Sequence, residues 1–325
     1  MTFLLTGATG FVGRNYLLRM LDRGWRVFAP VRDAGKLRRQ LAAERVDTSR
    51  LTPIPADPRR WPDISHVDAA VHIAGVLFAR DLDAYVETNV EWTEAVLKAL
   101  PRGCPMVILS SQSAGGPTPE GKISRDEDMP DVPVSFYGES KLRMERLVRR
   151  DYEGIPIAIL RPPMVIGPRD TAIGQLFRMA RSPVRFKPGL KPKTLSFISC
   201  EDLLDAIDVS LTNSDKLKHR PHYVASRQTF TDTELIQTVA THLRRRGITV
   251  TLPDPLVRLL SRTVDASPAL RAGFPSLTAD RVRELGAERW VVNPSAFESV
   301  TQWYAKKTLA QAIESVSRGA QASSL

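Results

Sequence analysis

Two cysteines, Cys104 and Cys200, are all that the 325 residues contain. So low a count excludes a disulfide framework and a cysteine-rich metal site, and no metal centre is expected. Long hydrophobic runs are missing as well. No stretch approaches the ~18 uninterrupted apolar residues of a membrane span. The longest candidate, Ala69 to Ala79, is short and contains His72. The opening run Phe3-Leu4-Leu5 has no basic residues ahead of it and is too short for a secretory leader. These absences predict a cytoplasmic protein without stable membrane insertion. Internal repeats and low-complexity linkers are absent too.

What is present is ordinary globular material. Hydrophobic residues make up 42% of the chain, enough for a substantial core in one large α/β domain or a nucleotide-binding domain with a smaller partner. The net charge of +10 is uneven. Residues 1–160 carry 22 Lys and Arg against 21 Asp and Glu, and residues 161–325 carry 24 against 15. Arg178, Arg181, Arg185, Lys187, Lys191 and Lys193 form one basic cluster, and Arg244-Arg245-Arg246 another. A solvated surface is the plain reading. The sharper one is a field that attracts an acidic or thioester-linked small-molecule substrate. Nucleic acid is not an expected partner, because no interleaved aromatic pattern or nucleic-acid module accompanies the charge.

The most informative segment is Gly7-Ala8-Thr9-Gly10-Phe11-Val12-Gly13. A strand-like run precedes it and a helical pattern, Arg14 to Asp22, follows. Gly7 permits a tight turn, Gly10 lets backbone approach phosphate, and Gly13 lets the helix pack on the strand. A pyrophosphate then sits at the helix N-terminus, where unpaired N–H groups point outward.

The first half of the chain alternates strand and helix. Continuous apolar runs at Thr2–Thr6, Arg26–Val31, Ala69–Ala74 and Met106–Ser110 read as buried parallel strands. Helical patterns lie at Ala34–Glu44, Tyr85–Leu100 and Phe136–Arg150, and a further strand at Ile155–Arg161. This order predicts a Rossmann-type, doubly wound parallel sheet with its ligand at the strands' C-terminal ends. Residues 1–166 are expected to bind the cofactor. Residues 167–325 are expected to form a smaller, mostly helical substrate-binding region, interleaved because strands near 197–200 and 222–225 return to the sheet. Residues 168–196, with Pro168, Pro183, Pro188 and Pro192, read as loop-rich. Thr233–Arg245 reads as a helix capped by Thr231 or Asp232. The stretch 253–290 reads as short helices, and the tail from Ser315 as frayed.

The second strand ends in Arg32-Asp33. An acidic residue there binds the ribose 2′-OH of NAD, and a basic one accepts the 2′-phosphate of NADP. Arg32 comes first, and its fork suits a phosphate. Arg14 and Lys36 add positive charge nearby. NADP is therefore expected, with NAD kept open by Asp33. Asp57, in Pro55-Ala56-Asp57, is placed to accept from an adenine amino group or simply to form a loop turn.

Tyr137 and Lys141 are four apart and share a helix face. A phenol near pKa 10 is a poor proton shuttle at pH 7, and a nearby ammonium favours its phenolate. Ser110-Ser111 end the preceding strand, where a hydroxyl can hold a substrate carbonyl oxygen beside Tyr137.

These features together resemble an extended short-chain dehydrogenase/reductase of the NAD(P)-dependent epimerase/dehydratase superfamily, in its dihydroflavonol-reductase and 3-beta-hydroxysteroid-dehydrogenase-like branch. The matching segments run in order along almost the whole chain. They are Thr6 to Gly13, Asp57, Asp68 to Gly75, Asn89 within Glu87-Thr88-Asn89-Val90, Ser110-Ser111, Tyr137 with Lys141, Leu160-Arg161-Pro162 through Gly167-Pro168, and Phe197 through Asp202. The resemblance implies catalysis by Ser111, Tyr137 and Lys141, with Asn89 supporting the site and Ser113 as the alternative serine. It implies a cofactor held by Gly7, Thr9, Gly10, Phe11, Val12, Arg32, Asp57, Ala74, Gly75, Pro162, Tyr137 and Lys141, and a homodimer. Where relatives carry Val-Asp before the late helix, this chain has Ser199-Cys200-Glu201-Asp202.

The expected activity is hydride transfer between NADP(H) and a ketone or secondary alcohol, with Tyr137 as general acid/base. Two alternatives remain. One is a nucleotide-sugar epimerase or related sugar-modifying enzyme; dehydration is disfavoured because Ser111-Gln112-Ser113 replaces the dehydratases' Thr with its Asp-Glu pair. The other is a non-catalytic NADP-binding regulatory protein.

Overall fold

The computed structural model describes residues 1–218, 220–274 and 277–322. Its strands are β1 (Thr2–Thr6), β2 (Arg26–Val31), β3 (Leu51–Pro55), β4 (Ala69–His72), β5 (Met106–Leu109), β6 (Ile157–Arg161), β7 (Met164–Ile166), β8 (Val184–Pro188), β9 (Thr194–Ser199), β10 (Pro221–Tyr223), β11 (Thr229–Thr231), β12 (Ile248–Leu252) and β13 (Arg289–Trp290). Seven strands form one parallel sheet in the order β10-β6-β5-β4-β1-β2-β3. The order reverses between β1 and β4, and that switch point opens the crevice where ligands of such sheets bind.

Strand composition explains the burial. The Phe3-Leu4-Leu5 and Met106 to Leu109 runs are apolar at every position because helices cover both faces of the sheet. On one face Tyr16, Leu17 and Met20 of the helix Phe11–Asp22 meet Leu203 and Ile207 of the helix Cys200–Thr212. On the other, Val96 and Leu97 meet Met144 and Val148 of the helix Phe136–Asp151. Cys104 and Cys200 are buried and unpaired. Among the described residues no helix is long and apolar enough to cross a membrane.

Several expectations need correction. The strand β3, with Pro53 and Pro55, is absent from the strands read in the sequence. It forms the sheet's edge, where the missing donors cost nothing. Residues near 197–200 do not rejoin the main sheet. Thr194–Ser199 instead pairs with β7, β11 and β13 in a second, four-stranded sheet, where Phe197 packs on Phe230 with ring centroids 5.6 Å apart. Residues 221–223 lie in the main sheet beside β6. The stretch 168–196 is not mainly loop. It holds the helix Thr171–Ala180, capped by Asp170, and β8, which pairs with β12. The frayed tail is instead the helix Leu309–Ala322, anchored by Leu309 and Ile313; residues 323–325 lie outside the described part.

Candidate active site

The glycine turn is built as its sequence requires. Gly7 has φ +76°, and a Cβ there would lie 2.8 Å from Ala74 N. A Cβ on Gly13 would lie 2.1 Å from Gly7 O. The helix Phe11–Asp22 then starts at Gly10 without a side-chain cap, so its first N–H groups face outward. That is a fit for a pyrophosphate.

The ribose end separates the two residues that competed in the sequence. Asp33 is spent as the cap of the helix Ala34–Ala42, accepting from Lys36 N at 2.9 Å. Arg32 is exposed and, among the described residues, has no side-chain partner. Arg14 shares one carboxylate with a second arginine, so the group keeps one net positive charge. Its guanidinium donates to Gln40 O and Glu44, and Arg169 binds the same Glu44 carboxylate. Asp57 turns its carboxylate onto its own loop, accepting from Arg59 N at 3.1 Å and from the exposed Arg59 guanidinium at 3.0 Å.

At the ends of β4 and β5 the remaining residues converge. Thr6 Oγ1 accepts from Ile73 N and Ala74 N and contacts His72 Nδ1, turning the chain out of β4. Burial pushes the His72 imidazole down to about 3, with the Lys141 charge in the same direction, so it is a neutral core group. Asn89 Oδ1 accepts from Val76 N at 2.8 Å, and its Nδ2 donates to Val76 O and to Ser140 Oγ at 2.9 Å. A π turn, Glu87–Glu91, aims Asn89 there by breaking the helical run that the sequence read as continuous. A Cβ on Gly75 would stand 3.0 Å from Asn89 Oδ1 and 3.4 Å from Lys141 Nζ.

The helix Phe136–Asp151 is capped by Ser135, whose Oγ accepts from Gly138 N at 3.0 Å. The Tyr137 side chain lies near enough to Ser111 for that hydroxyl to favour the phenolate, and its ring packs against Tyr85, ring centroids 6.1 Å apart. Ser113 is buried, and its backbone carbonyl lies under Gly138. Pro162 is buried, with its carbonyl accepting from Gln112 N at 3.0 Å. Gln112 Oε1 is buried without a partner.

Lys141 is buried at the end of β5. Its Nζ donates to Leu109 O at 2.8 Å. Burial pushes it down to about 8, opposed by Glu145. The cation against Tyr137 is Arg281, its guanidinium carbon 5.2 Å from the ring centroid and 5.8 Å from that of Phe78. Burial pushes the Tyr137 phenol up to about 12, while Arg281 and Ser111 pull it down.

Sequence reasoning missed Arg281 and its setting. The helix Ala279–Leu285 docks on the start of the Tyr137 helix: Asp280 accepts from Phe136 N at 2.7 Å and Glu284 from Ser135 Oγ at 2.6 Å. No local pattern marks residues so far apart in the chain. Also missed was the buried group under the site. Arg161, 1% exposed, binds Glu145 and Asp131 through paired hydrogen bonds, and Ser110 donates to Glu145.

An Arg281→Leu change should raise the pKa of the Tyr137 phenol by about one unit, since a cation facing the phenolate is lost. Phenolate absorbance titration, read as the difference from the Tyr137→Phe protein, measures this; an unmoved titration would remove Arg281 from any tuning role.

This parallel sheet, glycine turn and Ser-Tyr-Lys cluster define an enzyme of the extended short-chain dehydrogenase/reductase type. The profile of the NAD dependent epimerase/dehydratase family matches residues 3–226, and the chain belongs to that family. It is 28% identical over 292 residues to the ceramide reductase of Caulobacter vibrioides, covering 88% of this chain and 84% of that one. It is 27% identical over 203 residues to the ketoreductase azaE of Aspergillus niger, covering 53% of this chain and 60% of that one. In fold it is similar to UDP-glucuronic acid 4-epimerase from Bacillus cereus, solved with UDP-glucuronic acid and NAD, at a TM-score of 0.75, 19% identity and 99% coverage of both chains. It is also similar to RMD from Pseudomonas aeruginosa, solved with NADPH, at a TM-score of 0.68, 19% identity and coverage of 98% and 99%.

Proposed function

We propose that the protein is an NADP(H)-dependent carbonyl reductase acting on a bulky, largely apolar ketone. The single observation that carries this reading is buried Tyr137 at the start of its helix, near Ser111 and under the Arg281 guanidinium. The bound nicotinamide supplies the hydride. Ser111 holds the substrate oxygen, and Tyr137 gives that oxygen its proton as the carbonyl becomes an alcohol. With burial holding its phenol protonated, Tyr137 is ready as an acid at neutral pH. Lys141 holds the nicotinamide ribose, and Asn89 fixes the Val76 loop against the Tyr137 helix. Gly7, Thr9, Gly10, Phe11, Val12, Ala74, Gly75 and Pro162 line the cofactor, and Asp57 reaches adenine only by letting go of Arg59.

In the same reading, residues 1–166 bind the cofactor, most of the substrate pocket comes from 167–325, and the chain forms a homodimer. Similarity to a ceramide reductase across 88% of the chain supports a reductase, and similarity to a ketoreductase over 53% of it supports a ketone substrate. The spent Asp33 carboxylate argues against the epimerase alternative with permanently bound NAD. Assay of purified protein with NADPH and a panel of long-chain ketones tests the reading. Copurified NAD together with turnover of a UDP-sugar would replace it.

Two further results follow. Arg32→Ala should raise the KM for NADPH by roughly 10- to 100-fold, the worth of a charged hydrogen bond to phosphate, and leave that for NADH unchanged. Lys141 is charged below about pH 8 and loses its proton above it. The KM for NADPH should therefore climb from about that pH, while Tyr137 stays protonated until about 12. A KM flat through that range would separate Lys141 from cofactor binding.

A further inference from the structure

The helix Asp254–Ala266 presents apolar residues on two sides. Val257, Ser261 and Val264 face inward and are buried. Leu256, Leu259 and Leu260 face outward, Leu259 being 59% exposed. A surface helix of a globular protein ordinarily carries polar residues there. β12 runs into this helix through Pro253 and repeats the inversion with β8. The register sets Ile248 beside Val184 and Val250 beside Phe186 on one exposed side, with Phe186 50% and Ile248 64% exposed. Their basic neighbours point the other way and are buried: Arg185 donates to Arg245 O, and Lys187 to Gly189 O and Asp232.

Arginines accompany these apolar residues, on the helix at Arg258 and Arg262 and ahead of β12 at Arg244 to Arg246. Arg244, Arg245, Arg246, Arg258 and Arg262 are all exposed, and among the described residues none of them has a carboxylate partner. No Asp or Glu occurs between Asp170 and Glu201. Exposed leucines flanked by unpaired arginines complement an apolar layer under negative headgroups. A second copy is a poorer occupant, because an isologous contact would set the arginines of one copy against those of the other.

We propose that this face docks the protein on the surface of an anionic lipid bilayer, without crossing it. The docking helix adjoins the active site. Asp265 accepts from Ala279 N at 2.9 Å, at the start of the helix that carries Arg281 over Tyr137. The docking stands independently of the reduction reading, and its test measures no activity.

The test is flotation of the full chain with vesicles of phosphatidylcholine alone or with added phosphatidylglycerol. Wild type should bind the anionic vesicles about tenfold or more strongly, and added salt should weaken this. Leu259→Ser/Leu260→Ser and Arg258→Glu/Arg262→Glu should each lose that binding about tenfold, with unchanged circular dichroism. These positions are exposed, so the fold should tolerate them. Wild type that ignores anionic vesicles overturns the proposal, as do double variants that bind like wild type. A leucine variant that instead dissociates lipid-free oligomers assigns the face to a second copy and overturns it too.

Discussion

Tyr137→Phe should lower ketone reduction by roughly 10²- to 10⁴-fold while NADPH binding stays intact. The substitution removes one hydroxyl and nothing else. The ring keeps its packing on Tyr85 and its place under Arg281, so the helix and the cofactor cradle are undisturbed. What is lost, in the proposed reaction, is the proton that the nascent alkoxide must receive. No other described group is so placed: His72 is a neutral core residue tied to Thr6 and Thr93, and Lys141 is anchored on Leu109 O. Stopped-flow turnover alongside NADPH fluorescence titration separates chemistry from binding. Retained turnover would remove Tyr137 from the acid role.

Arg161→Met should destabilise the protein by about 3–5 kcal/mol, because it leaves Glu145, and partly Asp131, as uncompensated buried charges. The melting temperature should fall by on the order of 10 °C. Glu145 is also the carboxylate that holds the Lys141 proton on. With Arg161 gone, Glu145 is freer to pair with Lys141, so the pH at which NADPH binding weakens should move up as well. Adding Glu145→Gln should restore part of the stability, since the orphaned charge is then removed. Calorimetry of both variants checks this. A single variant as stable as wild type would mean that the buried charges find water or another partner.

The parts of the fold and site that were legible in the sequence are local. The glycine turn is a run of seven residues, and its strand and helix flank it directly. Tyr137 and Lys141 are one helical turn apart, and Ser111 ends the preceding strand. Arg32 and Asp33 were legible in favour of NADP, but the use of Asp33 as a helix cap was not, because a cap is a matter of backbone direction. β3 was hidden by prolines that only an edge strand accepts. The π turn that aims Asn89 leaves no composition signal. Arg281 reaches Tyr137 from far along the chain, and the Arg161, Glu145 and Asp131 group joins three separate elements. A charged residue at the end of the otherwise apolar run of β6 was the one available hint of that group.

The most direct test of the account is a single turnover with NADPH carrying deuterium at the transferring position of its nicotinamide and a long-chain ketone as substrate. The account predicts one deuterium on the carbinol carbon of the product, one NADPH consumed per alcohol formed, and loss of both in Tyr137→Phe. Turnover without net NADPH consumption, or product without deuterium at that carbon, would contradict it.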